Sequence, residues 1–181
     1  MARVPYVEYE DAGSEVKKIY DKQKGSLGKI LNTTLVRGHC PELLKGITGM
    51  QKAQEKTSFS PLSLRPLLTL LVSKLNGCPH WIDIHTMRGL RFGHDEKKLS
   101  NIENYETESS FKEEEKIALR FAEGMSKTPV EVDEILFSKL KKFYSDNQIV
   151  EIATIISFQN FNAKFNAAMK TDSNEFCSLD T

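Results

Sequence analysis

The sequence predicts an all-helical fold, and three observations carry that expectation. Apolar residues recur at three- and four-residue spacing along nearly the whole chain, few stretches alternate as strands do, and the breaks fall at helix-start and helix-stop residues. Its 181 residues suit one domain spanning 1–181, or two short helical repeats sharing a core. A chain this long can bury a core without disulfides or a structural metal.

Taken in order, Pro41 opens a helix carrying Leu43, Leu44, Ile47, Met50 and Ala53. The run Leu64 to Leu75 is apolar on almost every side, the signature of a helix at the centre of a fold. Ser63 stands at its cap position, and Pro66 falls in the first turn, where no intrahelical amide bond is lost. Asn76-Gly77 ends that helix and Cys78-Pro79 opens another, running to about Gly93. Residues 94–110 are polar and read as a surface connector. An amphipathic helix follows, with Ile117, Ala118, Phe121, Ala122 and Met125 on one face, broken at Thr128-Pro129. Val132, Ile135, Leu136, Leu140, Phe143 and Tyr144 mark the next stripe, and a last long helix covers Gln148 to Met169. The core thus spans about 41–169, and 171–181 reads as a loose tail. The runs 67–71 and 152–156 echo one another, which fits either a repeat or two buried apolar helices.

Lysine plus arginine balances aspartate plus glutamate at 25 each, so no charge excess points to nucleic acid or an anionic membrane as partner. No run of about 18 uncharged apolar residues could span a bilayer. The first residues lack the apolar core of a secretion signal, and three widely spaced cysteines form no disulfide framework, so a cytoplasmic protein with reduced thiols is expected.

The one stretch rich in chemistry is 78–85. At about 100° per residue, Cys78, Trp81, Ile82 and His85 share a helix face while His80 and Asp83 point elsewhere. Cys78 occupies the cap, where the helix end favours a thiolate, and His85 lies two turns on as a proton donor or acceptor. A buried cysteine and a hydrogen-bonded core histidine are the plainer alternative. His80 and His85 are five apart and do not make the helical i, i+4 pair of a zinc site, so no metal and no cofactor are expected. Cys40 at a helix start reads as a small cap residue, and Cys177 lies in the tail. Asn160, Asn162 and Asn166 either satisfy buried backbone groups or line an interface. Lys112 to Lys116 reads as a solvated face.

At Leu64-Arg65-Pro66, Leu70-Leu71-Val72-Ser73, Asn76-Gly77-Cys78 and His85 the chain resembles the carboxymuconolactone decarboxylase superfamily, in its alkyl hydroperoxidase D-like branch. The resemblance extends upstream through Val4-Pro5-Tyr6-Val7, Glu15-Val16, Ile19-Tyr20-Asp21, Asn32 and Pro41-Glu42-Leu43-Leu44, and downstream through 146–169. It implies an all-helical homo-oligomer, a trimer or hexamer or else a dimer. It also implies hydroperoxide reduction by a Cys-x-x-Cys pair with a glutamate and a histidine relaying protons. Carried over, Cys78 is the first cysteine, His80 the intervening residue and His85 the relay histidine. Trp81 replaces the second cysteine and Pro66 the glutamate, so no dithiol cycle can run at this motif.

Three functions follow. Cys78 with His85 could reduce hydroperoxides as a single-thiol antioxidant enzyme served by an external thiol reductant. His85 could act as acid–base in a decarboxylase or isomerase of a small lactone or acid, with Arg65 or Arg88 holding a carboxylate. The chain could also be a non-catalytic oligomeric scaffold or small-ligand binder, in which Trp81 supplies an apolar wall.

Overall fold

A computed structural model describes residues 2–176. Among these residues the regular structure is helical throughout: α1 (Ser14–Leu27), α2 (Asn32–Arg37), α3 (Pro41–Lys56), α4 (Leu64–Leu75), α5 (Pro79–Arg91), α6 (Glu96–Ser100), α7 (Glu113–Ser126), α8 (Glu134–Leu140) and α9 (Asp146–Met169). A single 3-10 turn, Ile102–Asn104, follows α6.

The all-round apolar sequence of α4 places it at the centre. Leu67, Leu68, Leu70, Leu71 and Val72 are fully enclosed, and α5, α7 and α9 pack directly against the helix. The longest helix, α9, brings Ile149, Ile152 and Ile156 to the same core, and α7 brings Ala118, Leu119, Phe121 and Ala122. The two echoing runs therefore lie on helices that face one another. A smaller cluster of Val16, Tyr20, Leu35 and Leu44 joins α1, α2 and α3 into an outer layer.

Four local expectations are corrected. Ser63 stands at the start of α4 but makes no capping hydrogen bond; its backbone is already helical there (φ −66°, ψ −22°), which turns the hydroxyl away from the first-turn amides. The 94–110 segment is not a surface connector. Leu99, Ile102 and Tyr105 recur at three-residue spacing and insert into the main core. The nearly buried Lys98 ammonium lies 2.7 Å from Glu115, so the charge run 112–116 is solvated only in part.

The 171–176 stretch is not loose. Asn174 accepts a hydrogen bond from the Asn32 amide at 2.9 Å, the Ser173 hydroxyl and the Phe176 amide donate to Asp83 at 2.7 and 2.9 Å, and Phe176 packs on an apolar cluster containing Leu31, Cys78 and Trp81. The polar side chains that predict a solvated strap are the groups that anchor it. Cys177 lies outside the described residues. No helix among them is long and apolar enough to cross a membrane.

Candidate functional site

Between α1, α3, α4, α5 and α9 lies an open cavity of about 630 Å³, within the range of small-molecule sites. Its floor comes from α5. Pro79 starts that helix, and the i, i+4 relation brings Trp81 and His85 together with ring centroids 5.3 Å apart and planes 17° from parallel. Both are almost fully buried and both line the cavity, with Pro66, Leu31, Ile155 and Gln159.

The hydrogen bonds around His85 fix its proton. The Ser73 hydroxyl donates to the Thr69 carbonyl at 2.6 Å. Its oxygen therefore accepts from the Gln159 amide nitrogen at 2.9 Å. That orientation turns the Gln159 carbonyl oxygen toward His85 Nε2, 3.0 Å away, so Nε2 carries the hydrogen and donates it. Nδ1 is then a bare lone pair, and it has no hydrogen-bond partner among the described residues. Burial holds the His85 pKa well below the ordinary 6.5, and the charge of Arg88 acts in the same direction. The imidazole is thus neutral at physiological pH, with an oriented basic nitrogen. The indole N–H of Trp81, buried beside it, also lacks a partner among the described residues, and both nitrogens are enclosed within the packing beneath the cavity.

Cys78 is placed differently. It caps α5 in extended conformation and is 1% exposed. It packs with Leu31, Trp81, Ile84 and Ala163 and does not line the cavity. Burial pushes its thiol pKa up, against the opposing pull of the Trp81 amide, the Asn166 side chain and the His80 amide. His80 faces the strap. Its Nδ1 donates to the Asp172 carbonyl at 3.1 Å, and burial lowers its pKa to about 4. The candidate residues of this stretch therefore part company. Trp81 and His85 meet at the cavity, whereas Cys78 stays beneath it and His80 belongs to the strap.

Arg65 lines the cavity but is engaged. It donates to Glu151 Oε1 at 2.6 Å, to the Gln54 carbonyl at 2.8 Å and to the Thr57 carbonyl. It is not free to hold a substrate carboxylate, whereas Arg88 lines the same cavity with no ion pair or hydrogen bond among the described residues. The asparagines accept from side chains instead of backbone groups: Asn162 accepts from Arg37 at 2.9 Å, Asn166 from Thr33 at 2.7 Å, and Asn160 from Asn76 at 2.9 Å. Sequence reasoning passed over Gln159. The signal was its register: it continues the buried Ile152, Ile155, Ile156 stripe of α9, where an amide must have a partner. Cys40 caps α3 and is exposed. No group of three or more His, Cys, Asp or Glu among the described residues could hold a metal ion.

This arrangement of helices has known counterparts. The chain superimposes on the apo debrominase Bmp8 with a TM-score of 0.84 at 25% identity, covering 95% of this chain and 92% of that one. It superimposes on a peroxidase-related protein of Ralstonia eutropha JMP134 with an alkylhydroperoxidase AhpD core at a TM-score of 0.87 and 18% identity, covering 96% and 93%. No family model matches the sequence. The Escherichia coli K12 protein YnjA, itself uncharacterized, is 29% identical over 122 residues, 66% of this chain and 67% of YnjA. The chain has the alkyl hydroperoxidase D-like helical fold.

Proposed function

We propose that this alkyl hydroperoxidase D-like protein acts on a small flat organic molecule held in the cavity, with His85 Nδ1 as the general base. The observation that carries this reading is the Thr69–Ser73–Gln159–His85 hydrogen-bond chain, which leaves one bare nitrogen on a cavity-lining, neutral imidazole. A cysteine-to-alanine variant of debrominase Bmp8 in complex with 2,3,4-tribromopyrrole superimposes on this chain with a TM-score of 0.83, and a flat ring suits the apolar side chains Trp81, Leu31 and Ile155 that line the cavity here. The reaction class that fits is proton transfer at carbon, as in isomerisation of a lactone or acid, where Nδ1 takes the proton from one carbon and returns it to another. The apolar side chains Val150 and Phe161 of α9 and Met50 of α3 are exposed around one shallow depression, which supports a homo-oligomer.

A panel of small lactones and keto acids provides the test. Each is incubated with the protein in D2O, and solvent deuterium entering the position beside the carbonyl is followed by NMR. Exchange above the buffer rate that survives Cys78→Ser but falls about 100-fold or more in His85→Gln is expected. Exchange unchanged by His85→Gln would end this reading.

A second reading is favoured by the donors around Cys78. Burial raises the Cys78 thiol pKa on balance, but the Trp81 amide, the Asn166 side chain and the His80 amide each pull toward the thiolate. On that reading Cys78 reduces a hydroperoxide to the alcohol and becomes a sulfenic acid, and an external thiol restores it with release of water. Cumene hydroperoxide with a sulfenic-acid trap separates the two: labelling at Cys78 ahead of Cys40 supports the thiol reading, and no labelling removes it.

A further inference from the structure

We propose that the cavity selects organic anions, taking a planar carboxylate with its charged end at Arg88 and Lys52 and its apolar body against Trp81, Leu31 and Ile155. The inference rests on the cavity being the ligand site and adds the charge and orientation of what enters it. The chain as a whole is neutral, yet the cavity is not. Lys18, Lys22, Lys45, Lys52 and Arg88 line it, against Glu15 and Glu55; Arg65 is already neutralised by Glu151. Glu15 is also engaged, lying 2.7 Å from Lys18 and 3.7 Å from Lys45. Among the described residues no ion pair holds Lys22, Lys52 or Arg88, and only Glu55 acts on Arg88 with opposing charge.

A concave surface with an excess of one sign concentrates ions of the other. The remaining lining of Leu27, Leu31, Ile155 and Phe158 requires an apolar body. An anion without one, such as acetate, would leave that surface uncovered.

The protein carries its own reporter, because Trp81 is its sole tryptophan. Quenching of its fluorescence is titrated with 4-nitrobenzoate and with the neutral, near-isosteric 4-nitrobenzamide. The anion is expected to bind about tenfold more tightly, with that preference shrinking toward twofold in Arg88→Gln, less strongly in Lys52→Gln, and in wild-type protein at high salt. Equal binding of the two probes would overturn the anion inference and leave the cavity as a ligand site. Binding of neither would overturn both the inference and the small-ligand reading beneath it. A preference for the anion that Arg88→Gln and Lys52→Gln leave intact would overturn the assignment of the charged end.

Discussion

Arg65→Ala is expected to lower the free energy of unfolding by about 3–5 kcal/mol, because it strands a buried carboxylate. Glu151 is 6% exposed and is compensated from three sides. The Ser60 amide and hydroxyl donate to Oε2 at 2.6 and 2.5 Å, and Arg65 donates to Oε1 at 2.6 Å. Removing the guanidinium leaves one carboxylate oxygen without its cation and frees the Gln54 and Thr57 carbonyls that Arg65 ties to the start of α4. The double change Arg65→Met with Glu151→Leu should recover much of the loss, since no uncompensated charge then remains. Exposed pairs such as Lys127–Glu131 contribute little by comparison.

The pH dependence has a definite sign. Burial raises the Glu151 pKa, but hydrogen bonds from Ser60 and Thr57 and the charge of Arg65 outweigh it and hold the carboxyl below its ordinary 4.5. A depressed folded-state pKa contributes stability that is present above the unfolded value and lost as pH falls through the folded one. Urea unfolding of wild-type protein should therefore weaken below about pH 4.5 more steeply than that of Glu151→Gln.

The second large effect concerns the strap. Ending the chain after Thr171 is expected to raise the rate at which a thiol reagent modifies Cys78 by about tenfold or more, with helical circular dichroism retained. The strap crosses the start of α5 through the His80–Asp172, Asp83–Ser173 and Asp83–Phe176 hydrogen bonds, and Phe176 packs on the cluster that contains Cys78. Measured with Cys40→Ser in both proteins, the rate isolates Cys78 once Cys177 has been removed or replaced. An unchanged rate would mean that Leu31, Trp81 and Ala163 alone seal the thiol.

The central helices were legible in the sequence because burial on all sides leaves its mark directly in composition. Leu64 to Leu75 could be little else than a core helix. Of the outer layer, α3 was legible from its Pro41 start, but α1 was not. α1 buries Val16 and Tyr20 among lysines, too thin a stripe to separate from a solvated segment, and the strap is anchored by polar side chains, which periodicity treats as surface.

At the site, residue types were legible and partnerships were not. Helix periodicity put Cys78 and His85 on one face. It could not show that the cap residue turns into an apolar cluster, or that Trp81, at the position of a second cysteine, forms the cavity floor with His85. The partner that decides the chemistry of His85 lies 74 residues away on α9, a distance that no local pattern spans.

The measurement closest to the heart of this account is the tautomer of His85, read from the nitrogen shifts and long-range nitrogen–proton couplings of the ring in 15N-labelled protein. A neutral ring protonated at Nε2, with an unprotonated Nδ1 at pH 7 and a protonation midpoint well below the ordinary 6.5, is the predicted result. The opposite tautomer, or a protonation midpoint near 6.5, would contradict the account, because His85 would then have no oriented basic nitrogen to offer a ligand.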